Sequence, residues 1–184
     1  MKITKGDQVY TAQLNVVLDP RAKYTLEDRK AQFDLVTRLG GMLNHMTWAV
    51  DSIIGVRDAA SARAAKLPEA GPLRRRLLDL SEAADKIRTK VVATKEGGMI
   101  TGEERLREYL SALYGDVNSY EGRPTDSQVA RADTLGRELE DVIREFNDLA
   151  GPQLPELNRQ LQAGKLAPIA LVSEQDWRKA QGEQ

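Results

Sequence analysis

VTRLGGMLNHMTWAVDSI, residues 36–53, is the stretch on which the fold turns. Its apolar side chains Val36, Leu39, Leu43, Met46, Val50 and Ile53 recur at intervals of 3, 4, 3, 4 and 3. That spacing puts all of them on one face of a helix, and no strand could present them to a common side. Phe33, Leu35, Met42 and Ile54 widen the seam to the breadth of a bundle face. Upstream, Thr25-Leu-Glu-Asp28 resembles a capping box; downstream, the alanine-rich run Ala59–Lys66 carries the helix to Pro68. A helix of about 40 residues would be about 60 Å long. Gly40-Gly41 lies inside it and costs about 1 kcal/mol per glycine relative to alanine. The pair marks a kink or a close helix contact rather than an anion loop, because no strand precedes it.

The pattern repeats beyond the break at Glu69-Ala70-Gly71-Pro72. A second helix aligns Leu73, Leu77, Leu80, Ala84, Ile87 and Val91 and ends at Lys95-Glu96-Gly97-Gly98. Thr101-Gly-Glu-Glu104 reads as the capping box of a third, with Leu106, Leu110, Leu113, Val117 and Tyr120 along its stripe. After Glu121-Gly122-Arg123-Pro124, the box Thr125-Asp-Ser-Gln128 opens a fourth, with Ala132, Leu135, Leu139, Val142, Phe146 and Leu149. Gly151-Pro152 is expected to interrupt it before Leu154, Leu157 and Leu161 resume the face, Pro155 sitting in a first turn. The expected fold class is therefore all-α, an antiparallel up-down bundle of about four helices. Glu82–Lys86, Glu103–Arg107, Asp133–Arg137 and Glu140–Arg144 have the spacing of i,i+4 ion pairs on the outer faces. Ala167–Val172 and Trp177 are apolar enough to lie back on the bundle, and Lys179–Gln184 should fray.

Residues 2–18 follow a different period. Lys2–Lys5 and Val9–Leu18 are rich in β-branched residues and alternate, with Gly6-Asp7 as the turn between them. Tyr10, Ala12, Leu14, Val16 and Leu18 would share one face. A lone hairpin is at best marginally stable in water, so it must pack on the helices, pair with another chain, or be the edge of a larger sheet. Asp19-Pro20 ends the strand. The resulting division is 1–20 hairpin, 21–169 bundle and 170–184 tail.

Composition removes whole classes of function. The net charge of −1 and 5% aromatics argue against a nucleic-acid surface. No run approaches the roughly 18–20 apolar residues of a membrane span. Met1–Gly6 lacks the apolar core of a signal peptide, so the chain taken alone carries no export address. With no cysteine, thiol chemistry and disulfides are absent, and the single histidine, His45, precludes any site needing two imidazoles. His45 lies near Asn44, Trp48 and Asp51 in sequence, but it reads as a hydrogen-bonded histidine beside the seam rather than a general base. Arg74-Arg75-Arg76, odd at a helix N-terminus, reads as a solvated or structural cluster rather than a phosphate clamp. Glu103-Glu104 and Glu138/Glu140 read as solvated carboxylates, and Tyr109, Tyr114 and Tyr120 as packing residues rather than an interface. No catalytic, cofactor-binding or metal-ligating residue is assigned.

The stretch Tyr10-Thr-Ala-Gln-Leu-Asn-Val-Val-Leu-Asp-Pro-Arg21 resembles the last strand of the immunoglobulin-like domain in bacterial sortilin-like (VPS10-like) β-propeller proteins of the BNR-repeat class. Gln32-Phe33-Asp34-Leu35, Pro124-Thr125, Leu154-Pro155-Glu156-Leu157-Asn158 and Lys165-Leu-Ala-Pro-Ile169 resemble segments of the helical region that follows it. The resemblance implies that residues 1–20 are the edge of a sheet and that the chain is the C-terminal part of a larger exported protein. The glycosyl-hydrolase label of that class transfers no catalytic residue, because the matching motifs are structural. The expected function is a non-catalytic helical module for packing and protein contact, without cofactor. Its partner would be the protein's own propeller and immunoglobulin-like domains or a symmetry mate. The alternative is an independent homo-oligomeric bundle. A ligand-binding bundle or enzyme would need a polar cavity in a core whose stripes are almost wholly aliphatic.

Overall fold

A computed structural model describes residues 1–17, 19–95 and 102–182. Two strands, β1 (Lys2–Lys5) and β2 (Gln8–Thr11), precede four helices: α1 (Leu26–Ala64), α2 (Pro72–Val91), α3 (Leu106–Ser119) and α4 (Asp126–Ala163). A short α5 (Glu174–Ala180) follows. The all-α bundle with an N-terminal hairpin is present as expected.

Cross-helix contacts refine its topology. Ser81 donates to the Arg57 carbonyl at 3.0 Å, Tyr114 packs beside Gly40, and the Gln32 amide donates to the Val117 carbonyl at 2.9 Å. As the α1 numbers fall, those of α2 and then α3 rise, so both run against α1. Along α4 the numbers rise with those of α1: Arg38 meets Asp133 at 2.6 Å, and His45 lies 3.7 Å from Glu140. The directions are thus up, down, down, up, in three columns rather than four alternating ones. Length explains it. At 1.5 Å per residue α1 spans about 58 Å and α4 about 57 Å, while α2 and α3 span about 30 and about 21 Å. Only end to end can the short pair cover the stripes of the long ones.

Those stripes are the core. Leu39, Met46, Ile53, Leu77, Leu80, Leu110, Leu135, Leu139, Leu157 and Leu161 are all at most 3% exposed. Several seam positions sit less deeply than the sequence suggests. Val36, Leu43 and Val50 pack on the core's margin, while Ala49 and Val56 are buried instead. Phe33 is 68% exposed and no part of the bundle face. The drift arises because a straight helix turns away from a strict seven-residue repeat by about 20° per heptad.

Two capping boxes form as read. The Thr25 hydroxyl accepts the Asp28 N–H and the Asp28 carboxylate accepts the Thr25 N–H, and Thr125 and Gln128 do the same. The third falls on Thr101, which lies outside the described residues; α3 itself starts at Leu106, with Arg105 as N-cap and its N–H donated to Glu108. Nor is α4 interrupted at Gly151-Pro152: it runs through Pro152 and Pro155. Each proline removes one backbone donor, but the exposed side of the helix leaves the freed carbonyls to water. Burial of Ala150, Leu154, Leu157 and Leu161 on the other side holds the helix together.

Of the four expected ion pairs, all among the described residues, only Glu82–Lys86 forms, at 2.7 Å. Asp133 turns to Arg38, Glu140 to His45, and Glu103 to Thr94 and Arg105. Arg107 pairs with Glu108, Arg144 with Asp141, and Arg137 donates to Thr134. An isolated i,i+4 pair contributes only about 0.2–0.5 kcal/mol, so any well-placed neighbour displaces it.

The hairpin is shorter than read. β2 ends at Thr11, which stands opposite Lys2 in the register. Residues 12–17 take no regular structure, and Leu18 lies outside the described residues. Gly6, at φ +57°, occupies the first position of the two-residue turn, where a side chain would be strained. Gly122 is required for a different reason: a Cβ there would stand 2.7 Å from the Tyr24 ring and 2.8 Å from that of Tyr120.

After α4 the chain turns back through a Schellman end. The Leu166 N–H donates to the Leu161 carbonyl at 2.8 Å and the Lys165 N–H to that of Gln162 at 2.9 Å. Lys165 stands at φ +58° where glycine is usual, a conformation costing a side-chain-bearing residue about 1–2 kcal/mol. The tail then lies on the bundle as expected. Ile169 is buried, and α5, capped by Ser173, keeps Lys179 and Ala180 helical rather than frayed. Glu183 and Gln184 lie outside the described residues.

Burial depth separates two substitutions in the seam. Leu139→Asp, at 1% exposure, should cost at least about 3 kcal/mol and abolish the cooperative melt, because its charge would be buried without a partner. Leu43→Asp, on the margin, should cost about 1–2 kcal/mol and leave a folded chain with a lowered Tm. Equal losses by circular dichroism would mean that Leu43 lies as deep as Leu139.

Candidate functional site

His45 projects from α1 toward α4 and the tail. Its Nδ1 lies 2.9 Å from a Glu174 oxygen and its Nε2 3.7 Å from Glu140, and its ring stacks on Trp48 with centroids 5.2 Å apart. Arg178 donates to the other Glu174 oxygen at 2.7 Å. Arg178 first, and His45 after it, hold the Glu174 carboxyl below the usual carboxylate range. Both imidazole nitrogens therefore face carboxylates, and neither faces a hydroxyl it could activate. Among the described residues no group of three or more His, Asp or Glu side chains could hold a metal ion. The cluster links three helices. It was not legible in the sequence, because Glu174 and Arg178 lie some 130 residues away along the chain.

The tryptophans complete this contact. The Trp48 indole N–H donates to the Val172 carbonyl and that of Trp177 to Asp51, both at 2.9 Å. Beneath the tail lies a cavity of about 310 Å³ lined by Ser52, Gly55, Val172 and Trp177. The buried Ser52 hydroxyl has no protein partner among the described residues. A larger open groove, about 650 Å³, follows α1 and α4 past Arg38, Met42, Asp133, Gly136 and Glu140. Four of its charges are already paired, Arg38 with Asp133 and Arg144 with Asp141.

The remaining candidates take structural places. Arg74 donates to the Glu69 carbonyl at 3.3 Å. Tyr109 lies under the Arg131 guanidinium at 5.1 Å, Tyr114 packs by Gly40, and Tyr120 meets Tyr24 edge-on. Glu138 borders a shallow cleft beside Lys90, which itself pairs with Glu145. Glu103 is more than a solvated carboxylate. It accepts the Thr94 N–H at 2.9 Å and pairs with Arg105, closing the connection between α2 and α3. The Thr94 N–H first and Arg105 second lower its carboxyl to about 2.

Among the described residues, the hairpin is the surface left without an intramolecular role. It packs on none of the helices, and every residue from Met1 to Val17 is exposed. Register places Met1, Ile3, Tyr10 and Ala12 on one face, with Ile3 51% and Tyr10 55% exposed. Met1 and Ala12 exchange both backbone bonds, so by parity the N–H and C=O groups of Val9 and Thr11 point out from the free edge of β2.

No family model, curated protein or solved structure matches this chain. The geometry alone must carry a functional reading, and it places the candidate surface on the hairpin rather than in a cleft.

Glu103 gives a pH test of the connection. A depressed carboxyl contributes stability above the unfolded value of 4.5 and loses it as pH falls toward about 2. The Tm difference between the wild type and Glu103→Gln should be fully present above pH 4.5 and close as pH approaches 2. A difference independent of pH would refute this role.

Proposed function

We propose that this chain is a non-catalytic helical module for packing and protein contact, whose N-terminal hairpin forms the edge of a β-sheet in a larger exported protein. The observation that carries the reading is the fully exposed hairpin, which no helix covers. Two strands alone are marginal in water, and an uncovered apolar face beside an unpaired edge is what a sheet leaves when its remaining strands lie elsewhere. Its partner is thus a β-sheet with an apolar inner face, which pairs with β2 and covers Ile3 and Tyr10.

The approach to α1 is compatible with the same arrangement. The Asp19 carboxylate accepts the Arg21 N–H at 2.9 Å and pairs with its guanidinium at 2.7 Å, so Asp19-Pro20-Arg21 forms a local turn ahead of α1. This is also where the resemblance to sortilin-like β-propeller proteins is most continuous, and those proteins remain the proposed parent class. The aliphatic core and the pairing of His45 with carboxylates favour a scaffold over a reaction site.

Light scattering after gel filtration tests the reading on the full chain and on one lacking residues 1–20. Among the described residues, the shorter chain retains every buried side chain. It should be a monomer with unchanged helicity, while the full chain associates through the exposed strands. If both forms are the same tight dimer, the helices are the assembly surface and this reading fails.

A further inference from the structure

The stretch Ala167–Val172 of the tail is held mainly by its backbone, while α5 beyond it is held by side chains, Glu174 on His45 and Trp177 on Asp51. Arg63 donates to the carbonyls of Ala167 and Pro168 at 2.7 and 2.9 Å. The Asn158 amide brackets Ile169, accepting its N–H at 2.7 Å and donating to its carbonyl at 2.9 Å. Trp48 takes the carbonyl of Val172. Ile169 is the one buried side chain among the tail's described residues, and α5 buries none. Contacts of this kind recognise an extended strand of main chain wherever it comes from, much as grooves that bind peptides do.

We propose that this surface of α1 and α4 is a receptor for an extended run that leads into a short helix, and that Ala167–Gly182 of a second copy can occupy it in exchange for the chain's own. The inference is independent of the hairpin. Three observations carry it. Every receptor group, His45, Trp48, Asp51, Arg63 and Asn158, belongs to the bundle, and Ile169 is the only buried core side chain that the tail supplies among the described residues. The occupant's chemistry is on display, an Ala-Pro-Ile run read through its amide groups. The link between them bends at Lys165, whose left-handed backbone is strained and would relax if the chain continued outward to a neighbour. A short tether gives the chain's own tail an effective concentration on the order of millimolar, which keeps the wild type closed on itself at ordinary concentrations.

Lys165→Pro tests this, because proline cannot adopt a positive φ and the turn back is then closed. The variant is made in the full chain and in the chain lacking residues 1–20, so that pairing of hairpins cannot be mistaken for exchange. In the shorter background, light scattering should give a dimer for Lys165→Pro, with the tail resisting trypsin at Arg178 and Lys179, and a monomer for Lys165→Gly. A monomeric proline variant, a dimer whose tail is cleaved freely, or a glycine variant that dimerises equally would overturn the proposal. Should the proline variant fail to fold, a chain ending at Leu166 is titrated with a labelled peptide of residues 167–182. Saturable binding that weakens about tenfold with Asn158→Ala is expected. Absence of saturation at about 1 mM peptide, the scale of the tethered concentration, would overturn it.

Discussion

Burial of one face of α1 from Leu35 to Ala64 constrains everything else in this molecule. The first nine residues of the helix bury no side chain, and no single neighbouring helix covers the distance from Leu35 to Ala64 except α4. The opposite flank is covered by α2 and α3 in succession, which is why the connection between them has to keep its direction. Glu103, Thr94 and Arg105 secure that connection with polar contacts where the aliphatic seam is interrupted. Removing apolar area from water at about 25 cal/mol per Å² gives this seam far more weight than the surface ion pairs, each worth at most about 1 kcal/mol.

That ranking explains what could be read from the residues and what could not. Positions such as Leu77, Leu80, Ala84, Ile87 and Val91 were legible because burial follows period, and period is written in the chain. The Thr25 and Thr125 caps were legible because both partners lie within one turn. The choice of partner for Asp133 or Glu140 was not, since it depends on which helix lies alongside. Pro152 misled in the same way: its local cost is real, but packing on the far side of α4 outweighs it. Nor could alternation in residues 12–17 make a strand without a partner, because a strand is a pairing rather than a property of one segment.

The candidate surfaces divide along the same line. The hairpin's exposed alternation was visible from Ile3 and Tyr10 onward, and the structure adds that no helix answers it. The tail's docking was foreshadowed only as apolar character in Ala167–Val172 and Trp177. Its anchors, Arg63 and Asn158, look like ordinary surface residues of long helices, and nothing in their spacing marks them as groups that hold backbone carbonyls.

The position of the two tryptophans affects how the protein's unfolding can be followed. Trp48 and Trp177 are the chain's only indoles, and both sit where the tail meets α1, outside the aliphatic core. Intrinsic emission therefore reports the seating of the last few residues, whereas ellipticity reports the long helices. Transitions recorded by the two signals need not coincide even if the bundle itself melts in one cooperative step, so the usual comparison of probes would register a local event as a global intermediate.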